Sequence, residues 1–207
     1  MSDNLLPDRL VNKAREVVDA NRAAGRRIAI AESCTGGLVS AALTEIPGSS
    51  DVFEAGYVTY SNAAKVSNLR VSEEVVETFG SVSVATAWAM ARGALAASDA
   101  DVAVAITGIA GPGGATPGKP VGLVHFAVAA RDGRIMHREM RFGAIGRTAV
   151  RQRSVVEALR MLMDLARGPK AQPKPRRAAA ATRLRPRVTR SPRRHAVKRR
   201  TPRSPRG

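Results

Sequence analysis

The sequence predicts an α/β fold, a three-layer α/β/α sandwich in a single domain, followed by a basic C-terminal tail. Three observations carry this. Short β-capable runs interleave with longer amphipathic stretches. The loops that follow three of those runs are rich in Gly, Ser and Thr. The 34 Lys and Arg residues are spread so unevenly over the 207-residue chain that they mark a boundary. Net charge is +17, yet residues 168–207 hold 15 basic residues and no acidic one, leaving 19 basic against 17 acidic in residues 1–167. A nearly neutral body of that length can bury a core. With 44% hydrophobic residues over the chain, disorder of the whole chain is excluded.

The elements follow in order. Leu6, Leu10, Val11, Ala14, Val17 and Val18 recur at helical spacing across residues 5–24, and Gly25 supplies a stop. Residues 27–31 (RIAIA) form a short strand that ends at Glu32-Ser33-Cys34-Thr35-Gly36-Gly37, and residues 38–46 resume a helical pattern. Pro47-Gly48-Ser49-Ser50 is a turn, and residues 53–60, with Val58, Thr59 and two tyrosines, favour a strand. Residues 62–69 read as a short helix. Ser72 before Glu73 and Glu74 starts another, and Ser83 starts a longer alanine-rich helix to about residue 97. Residues 102–106 are a buried type of strand, ending in a Gly-rich loop over 107–118. Residues 121–130 and 134–142 pair as a hairpin around Arg131-Asp132-Gly133. Residues 147–166 close the body as a helix. No internal repeat is present.

Several function classes fall away at once. No run approaches the roughly 18–20 apolar residues of a bilayer helix, so no membrane insertion is expected. The N-terminus lacks a basic region followed by an apolar block, so a cytoplasmic protein is expected. A single cysteine, Cys34, excludes an intramolecular disulfide and a multi-cysteine zinc site. Gly113-Gly114-Ala115-Thr116-Pro117-Gly118-Lys119 fits the start of a phosphate-binding P-loop, but Pro120 replaces the hydroxyl residue that would hold Mg²⁺, and a strand follows where that motif needs a helix. Gly108, Gly111, Gly113 and Gly114 do not make a dinucleotide fingerprint either.

In sheets of this class chemistry sits beyond the carboxyl ends of strands, which directs attention to Ser33, Tyr60 and Thr107. Ser33 stands where a strand meets a helix, and the amides of Thr35, Gly36 and Gly37 are expected to be free there and to favour negative charge. It reads as a nucleophile with an amide-lined oxyanion site, or as a plain N-cap hydroxyl in a tight turn; Cys34 and Thr35 are the other candidate reactive groups. A serine needs a base. The body's two histidines, His125 and His137, lie in the hairpin strands, so a Ser-His-Asp triad is weakly supported. Of its three lysines, Lys65 follows the second strand and can lie beside the end of the first. Desolvation that lowered its pKa from about 10.4 towards 7 or 8 would make it a base. Spacing alone favours the alternative, a solvated charge on a helix.

Together these residues resemble a family. Ala31-Glu32-Ser33-Cys34-Thr35-Gly36-Gly37, Pro47-Gly48-Ser49-Ser50, Val58-Thr59-Tyr60-Ser61-Asn62 with Lys65, Gly80-Ser81-Val82-Ser83, Ile106-Thr107-Gly108-Ile109-Ala110-Gly111-Pro112 and Lys119-Pro120-Val121-Gly122 occur in unbroken order across residues 8–166. They closely resemble the C-terminal domain family of CinA proteins, the nicotinamide mononucleotide amidohydrolases. The resemblance implies hydrolysis of the carboxamide of nicotinamide mononucleotide to nicotinic acid mononucleotide and ammonia, without a metal or cofactor. It implies Ser33 as nucleophile, Lys65 as general base and Tyr60 as a hydroxyl that positions or relays the proton. Thr35 and Thr107, with the amides of Gly36 and Gly108, are implied around the carboxamide or oxyanion. Arg147 is a candidate for the substrate phosphate, although Gly146 stands before it where the family commonly has an acidic residue. Many relatives carry a larger N-terminal domain, so a stand-alone amidase domain over residues 1–167 is expected. Similar domains often self-associate, and a homodimer is expected.

The tail, residues 168–207, holds 7 of the 12 prolines and no aromatic residue. It is expected to be disordered and to bind nucleic acid or another polyanion without sequence preference. The rival reading of the whole chain is a catalytically inactive scaffold of the same family whose basic tail binds nucleic acid.

Overall fold

A computed structural model describes residues 4–167; the expected disordered basic tail over 168–207 lies outside the described residues. Among the described residues six α-helices and five strands follow in the order α1 (Asp8–Ala23), β1 (Ile28–Glu32), α2 (Leu38–Thr44), β2 (Phe53–Val58), α3 (Asn62–Leu69), α4 (Glu73–Phe79), α5 (Val84–Ala96), β3 (Val102–Gly108), β4 (Leu123–Ala130), β5 (Ile135–Arg141) and α6 (Arg147–Arg167). The strands form one sheet in the order β2-β1-β3-β4-β5. β2, β1 and β3 run parallel, and β4 and β5 are antiparallel additions. The expected three-layer α/β/α arrangement is what the chain adopts.

Alternation along the central strands decides which helix goes where. In β1 the isoleucines Ile28 and Ile30 enter one core with α1, α2 and α6, while Ala29 and Ala31 enter the other beneath α5. β3 repeats the pattern, with Val102, Val104 and Ile106 on the first face and Ala103 and Ala105 on the second. Successive strand residues point to opposite faces, so one face is bulky and the other small. The small face lets the alanine-rich α5, through Ala87, Ala91 and Ala94, lie close against the sheet. At Gly93 a β-carbon would come 2.1 Å from the Leu69 carbonyl oxygen, so α5 and the end of α3 meet at backbone distance.

The bulky face carries the longest helices. Leu10, Val11, Ala14, Val17 and Val18 of α1 meet Val155, Ala158, Leu159 and Leu162 of α6 over that face. Burying each such side chain contributes about 1.5–3 kcal/mol relative to exposure. The last turn of α6 leaves carbonyls without helical partners. Arg26 and Arg134 each donate to the Leu165 carbonyl at 3.0 Å, which caps that end. Both ends of the sheet order are edges, and β5 alternates exposed and half-buried residues accordingly.

Candidate active site

The parallel strands bring three chain reversals to one end of the sheet. Ser33 follows β1, Thr59 and Tyr60 follow β2, and Thr107 and Gly108 end β3. The register pairs Glu32 with Val58 on one side and with Ile106 on the other. The Ser33 amide donates to the Ile106 carbonyl at 2.9 Å, continuing the ladder. Ser33 therefore sits beside Thr107, on the same face as Ala31 and Ala105.

Lys65 comes to this point from α3. Ser61 begins that helix, its hydroxyl accepting from the Ala64 amide at 3.0 Å. Lys65 and Leu69, one helical turn apart, are its buried positions. Lys65 is only 1% exposed. Its Nζ lies 3.2 Å from Ser33 Oγ, 2.8 Å from the Thr59 carbonyl oxygen and 3.4 Å from the Tyr60 carbonyl oxygen. Burial pulls its pKa below the ordinary lysine value, opposed by the neighbouring Cys34. The solvated helix charge favoured by spacing alone is thus not what forms.

The amides after Ser33 differ from expectation. Gly36 donates to the Ser33 carbonyl at 3.1 Å, and Gly37 donates to Glu32 Oε2 at 3.0 Å. Glu32 also accepts from the amides of Val39 and Ser40, at 3.1 and 2.9 Å, and from the Ser40 hydroxyl at 2.8 Å. The start of α2 is already met by an internal carboxylate, which satisfies its unpaired donors and its positive end. Of the three amides expected to be free, only that of Thr35 has no acceptor among the described residues. The Thr35 hydroxyl is fully buried and has no partner among the described residues. Cys34 is buried as well, and burial pushes its thiol up to about 12.

Two arginines of α6 reach this end of the sheet. Arg147 donates to the Gly111 carbonyl and to the Tyr60 hydroxyl, each at 3.0 Å. Arg151, one turn on, donates to the Thr35 carbonyl at 2.9 Å. The Tyr60 side chain is exposed and meets Arg147; its carbonyl, not its hydroxyl, faces Lys65. Thr107 is buried and its hydroxyl donates to the Ser81 carbonyl at 2.6 Å, tying β3 to the segment that opens α5. Gly108 is pressed against β4, where a β-carbon would stand 2.7 Å from the Leu123 carbonyl oxygen. His125 pairs with Thr107 across β3 and β4, which places it two strands from Ser33, about 10 Å away at the usual strand spacing. Two surface hollows, of about 480 and 430 Å³, border His125 and Arg153 respectively and do not reach Ser33. Among the described residues no helix is long and apolar enough to cross a membrane.

A family model described as CinA C-terminal domain matches residues 11–166. The chain belongs to the CinA C-terminal domain family. The matched span runs from α1 into α6 and so contains every residue of the site. CinA-domain relatives include a nicotinamide-nucleotide amidohydrolase PncC from Enterobacter agglomerans, 47% identical over 151 residues that cover 73% of this chain and 92% of that one. A CinA-like protein from Synechococcus is 49% identical over 150 residues, or 72% of this chain and 36% of the relative. The chain thus spans about a third of the length of several curated relatives it matches. Among solved CinA-type structures, the competence/damage inducible protein CihA of Agrobacterium tumefaciens superposes with a TM-score of 0.77 at 52% identity, covering 80% of this chain and 99% of that one. A CinA superfamily protein of Escherichia coli gives 0.72 at 36% identity, covering 77% and 93%.

Proposed function

We propose that the chain is a nicotinamide mononucleotide amidohydrolase that works through a serine acyl-enzyme with a lysine base. The observation that carries this reading is the 3.2 Å approach of a buried Lys65 Nζ to Ser33 Oγ. A neutral amine has two N–H donors and one lone pair. The Thr59 and Tyr60 carbonyls can take the two donors, and the lone pair is then left for the serine proton. Burial, which lowers the Lys65 pKa, supplies the neutral form nearer to working pH.

In this mechanism Ser33 Oγ attacks the carboxamide carbon as its proton passes to Lys65. The tetrahedral intermediate collapses, Lys65 returns the proton to the departing nitrogen, and ammonia leaves. Water, deprotonated by the same lysine, then releases nicotinic acid mononucleotide and frees Ser33. The Thr35 amide is the turn's available donor towards the oxyanion. Arg147, held by Tyr60 and Gly111, supplies a cation for the substrate phosphate. Thr107 and Gly108 contribute through backbone placement, because the Thr107 hydroxyl is committed to Ser81. The relative named PncC supports the substrate class.

The test is ammonia release from nicotinamide mononucleotide by the full-length protein and by Ser33→Ala. Release by the wild type, abolished in Ser33→Ala, is expected. A wild type that releases none would leave the inactive scaffold with a nucleic-acid-binding tail as the better reading, and a Ser33→Ala variant as fast as an active wild type would rule out the serine acyl-enzyme.

A further inference from the structure

Ser33 lies in a turn over residues 33–37 that has to hold a nucleophile still. Two of its five residues are glycines at φ 60° and 92°, Gly36 and Gly37, which makes the turn easy to form and easy to deform. One residue fastens both of its ends. The Glu32 main chain belongs to β1 and its carbonyl accepts from the Thr59 amide at 2.8 Å. Its fully buried carboxylate accepts from Gly37, Val39 and twice from Ser40, at 2.8–3.1 Å.

The N-cap position of α2 is Gly37, which has no side chain of its own to cap the helix. Gly37 is left-handed, where an L side chain would be strained, so this seven-residue helix has no place for a local serine, threonine, aspartate or asparagine cap. The Glu32 carboxylate takes the place of a local cap, and from its position on the strand it does more than one would. It links the helix start to the strand end across the nucleophile's turn, through charge-assisted bonds.

Gly56 bears independently on the same contact. Its φ lies outside the left-handed region, so the backbone does not require glycine. A β-carbon there would stand 2.6 Å from the Ser40 hydroxyl oxygen and 3.2 Å from the Ser40 β-carbon. The missing side chain in β2 is the space through which Ser40 reaches Glu32.

We propose that Glu32 is a positioning residue for the reaction set out above, on which the inference rests: its carboxylate holds the 33–37 turn so that Ser33 Oγ stays within reach of Lys65 Nζ. The test uses full-length Glu32→Gln, Ser40→Ala and Gly56→Ala. For each, kcat and KM with nicotinamide mononucleotide are measured per mole of folded protein, counted by circular dichroism. The rate at which a fluorophosphonate labels Ser33 is measured in parallel; there Oγ bonds to phosphorus, fluoride leaves and the serine proton goes to Lys65. In Glu32→Gln an amide NH₂ faces backbone donors, so kcat is expected to fall about a hundredfold, with KM within about threefold and labelling slowed in step. Ser40→Ala and Gly56→Ala are expected to fall between it and the wild type, and they decide the matter if Glu32→Gln does not fold. Wild-type kcat and labelling in folded variants, or losses that follow only the folded fraction, would overturn the proposal. Slowed labelling in a protein that releases no ammonia would support the positioning role and reject the substrate.

Discussion

Replacing Lys65 with methionine separates the two roles a buried lysine can have. Methionine keeps most of the aliphatic stem and its packing, and removes the amine. Two carbonyl hydrogen bonds go with it, at 2.8 and 3.4 Å, each contributing about 1 kcal/mol. The penalty of burying an amine goes too, and it acts in the opposite direction. Net stability is therefore expected to change by no more than about 1 kcal/mol, a shift in Tm of about 2–4 °C for a domain of this size. In the proposed mechanism catalysis loses its base, for which a fall of about 10²–10⁴ in kcat is expected. Because the folded pKa lies below the unfolded one, the unfolded state binds the extra proton between the two values. Wild-type stability relative to Lys65→Met should then rise with pH from the folded pKa to about 10.4, and be flat below that window. Ammonia release and thermal melts across pH measure both. A variant that keeps more than about a tenth of kcat would remove Lys65 as base, and a Tm lower by more than about 10 °C would make it a structural residue.

Other outcomes follow from the same geometry. Arg147→Ala should lower kcat/KM for the mononucleotide by about 10–100-fold, the worth of a charged hydrogen bond, and should change nicotinamide riboside turnover little, since that substrate lacks the phosphate; equal losses on both would refute phosphate binding. Cys34, with its thiol pushed up to about 12 by burial, should resist iodoacetamide at pH 8 in the folded protein and react once denatured, as read by mass spectrometry; rapid labelling of the native protein would contradict this. Deleting residues 167–207 is expected to abolish low-salt RNA binding in a filter assay while leaving ammonia release unchanged; retained binding would place the polyanion site in the body.

Much of the fold could be read from local pattern because its strands are short and strictly alternating. Ile28-Ala29-Ile30-Ala31 and Val102-Ala103-Val104-Ala105 announce strands buried on both faces. Ser72 and Ser83 announce helix starts. Ser33 was legible for the same reason, as a hydroxyl at a strand-to-helix reversal. Lys65 was legible only as a candidate, since a lysine on a short helix is ordinarily solvated; its spacing of four from Leu69, the other inward position of α3, is the signal that it lies on the buried stripe. Glu32 carried no signal of its own. Its contacts reach five to eight residues along the chain and depend on two left-handed glycines, which spacing does not encode. Arg151 meets Thr35 across 116 residues, and only the docking of α6 on the sheet brings the two together.

The contrast between the two faces of the sheet also bears on how this domain can drift in sequence. On the bulky face, an exchange of Ile30 for Leu or Val104 for Ile trades one shape for another within a deep core, the kind of change that costs under about 1.5 kcal/mol when volume is kept. On the alanine face there is nothing to trade. Each methyl added at Ala29, Ala31, Ala103 or Ala105 lifts α5, and Ser81, which leads into α5, is tied to Thr107 beside Ser33. Variation among descendants should therefore accumulate beneath α1 and α6, while the floor beneath α5 stays small in any copy that keeps its activity.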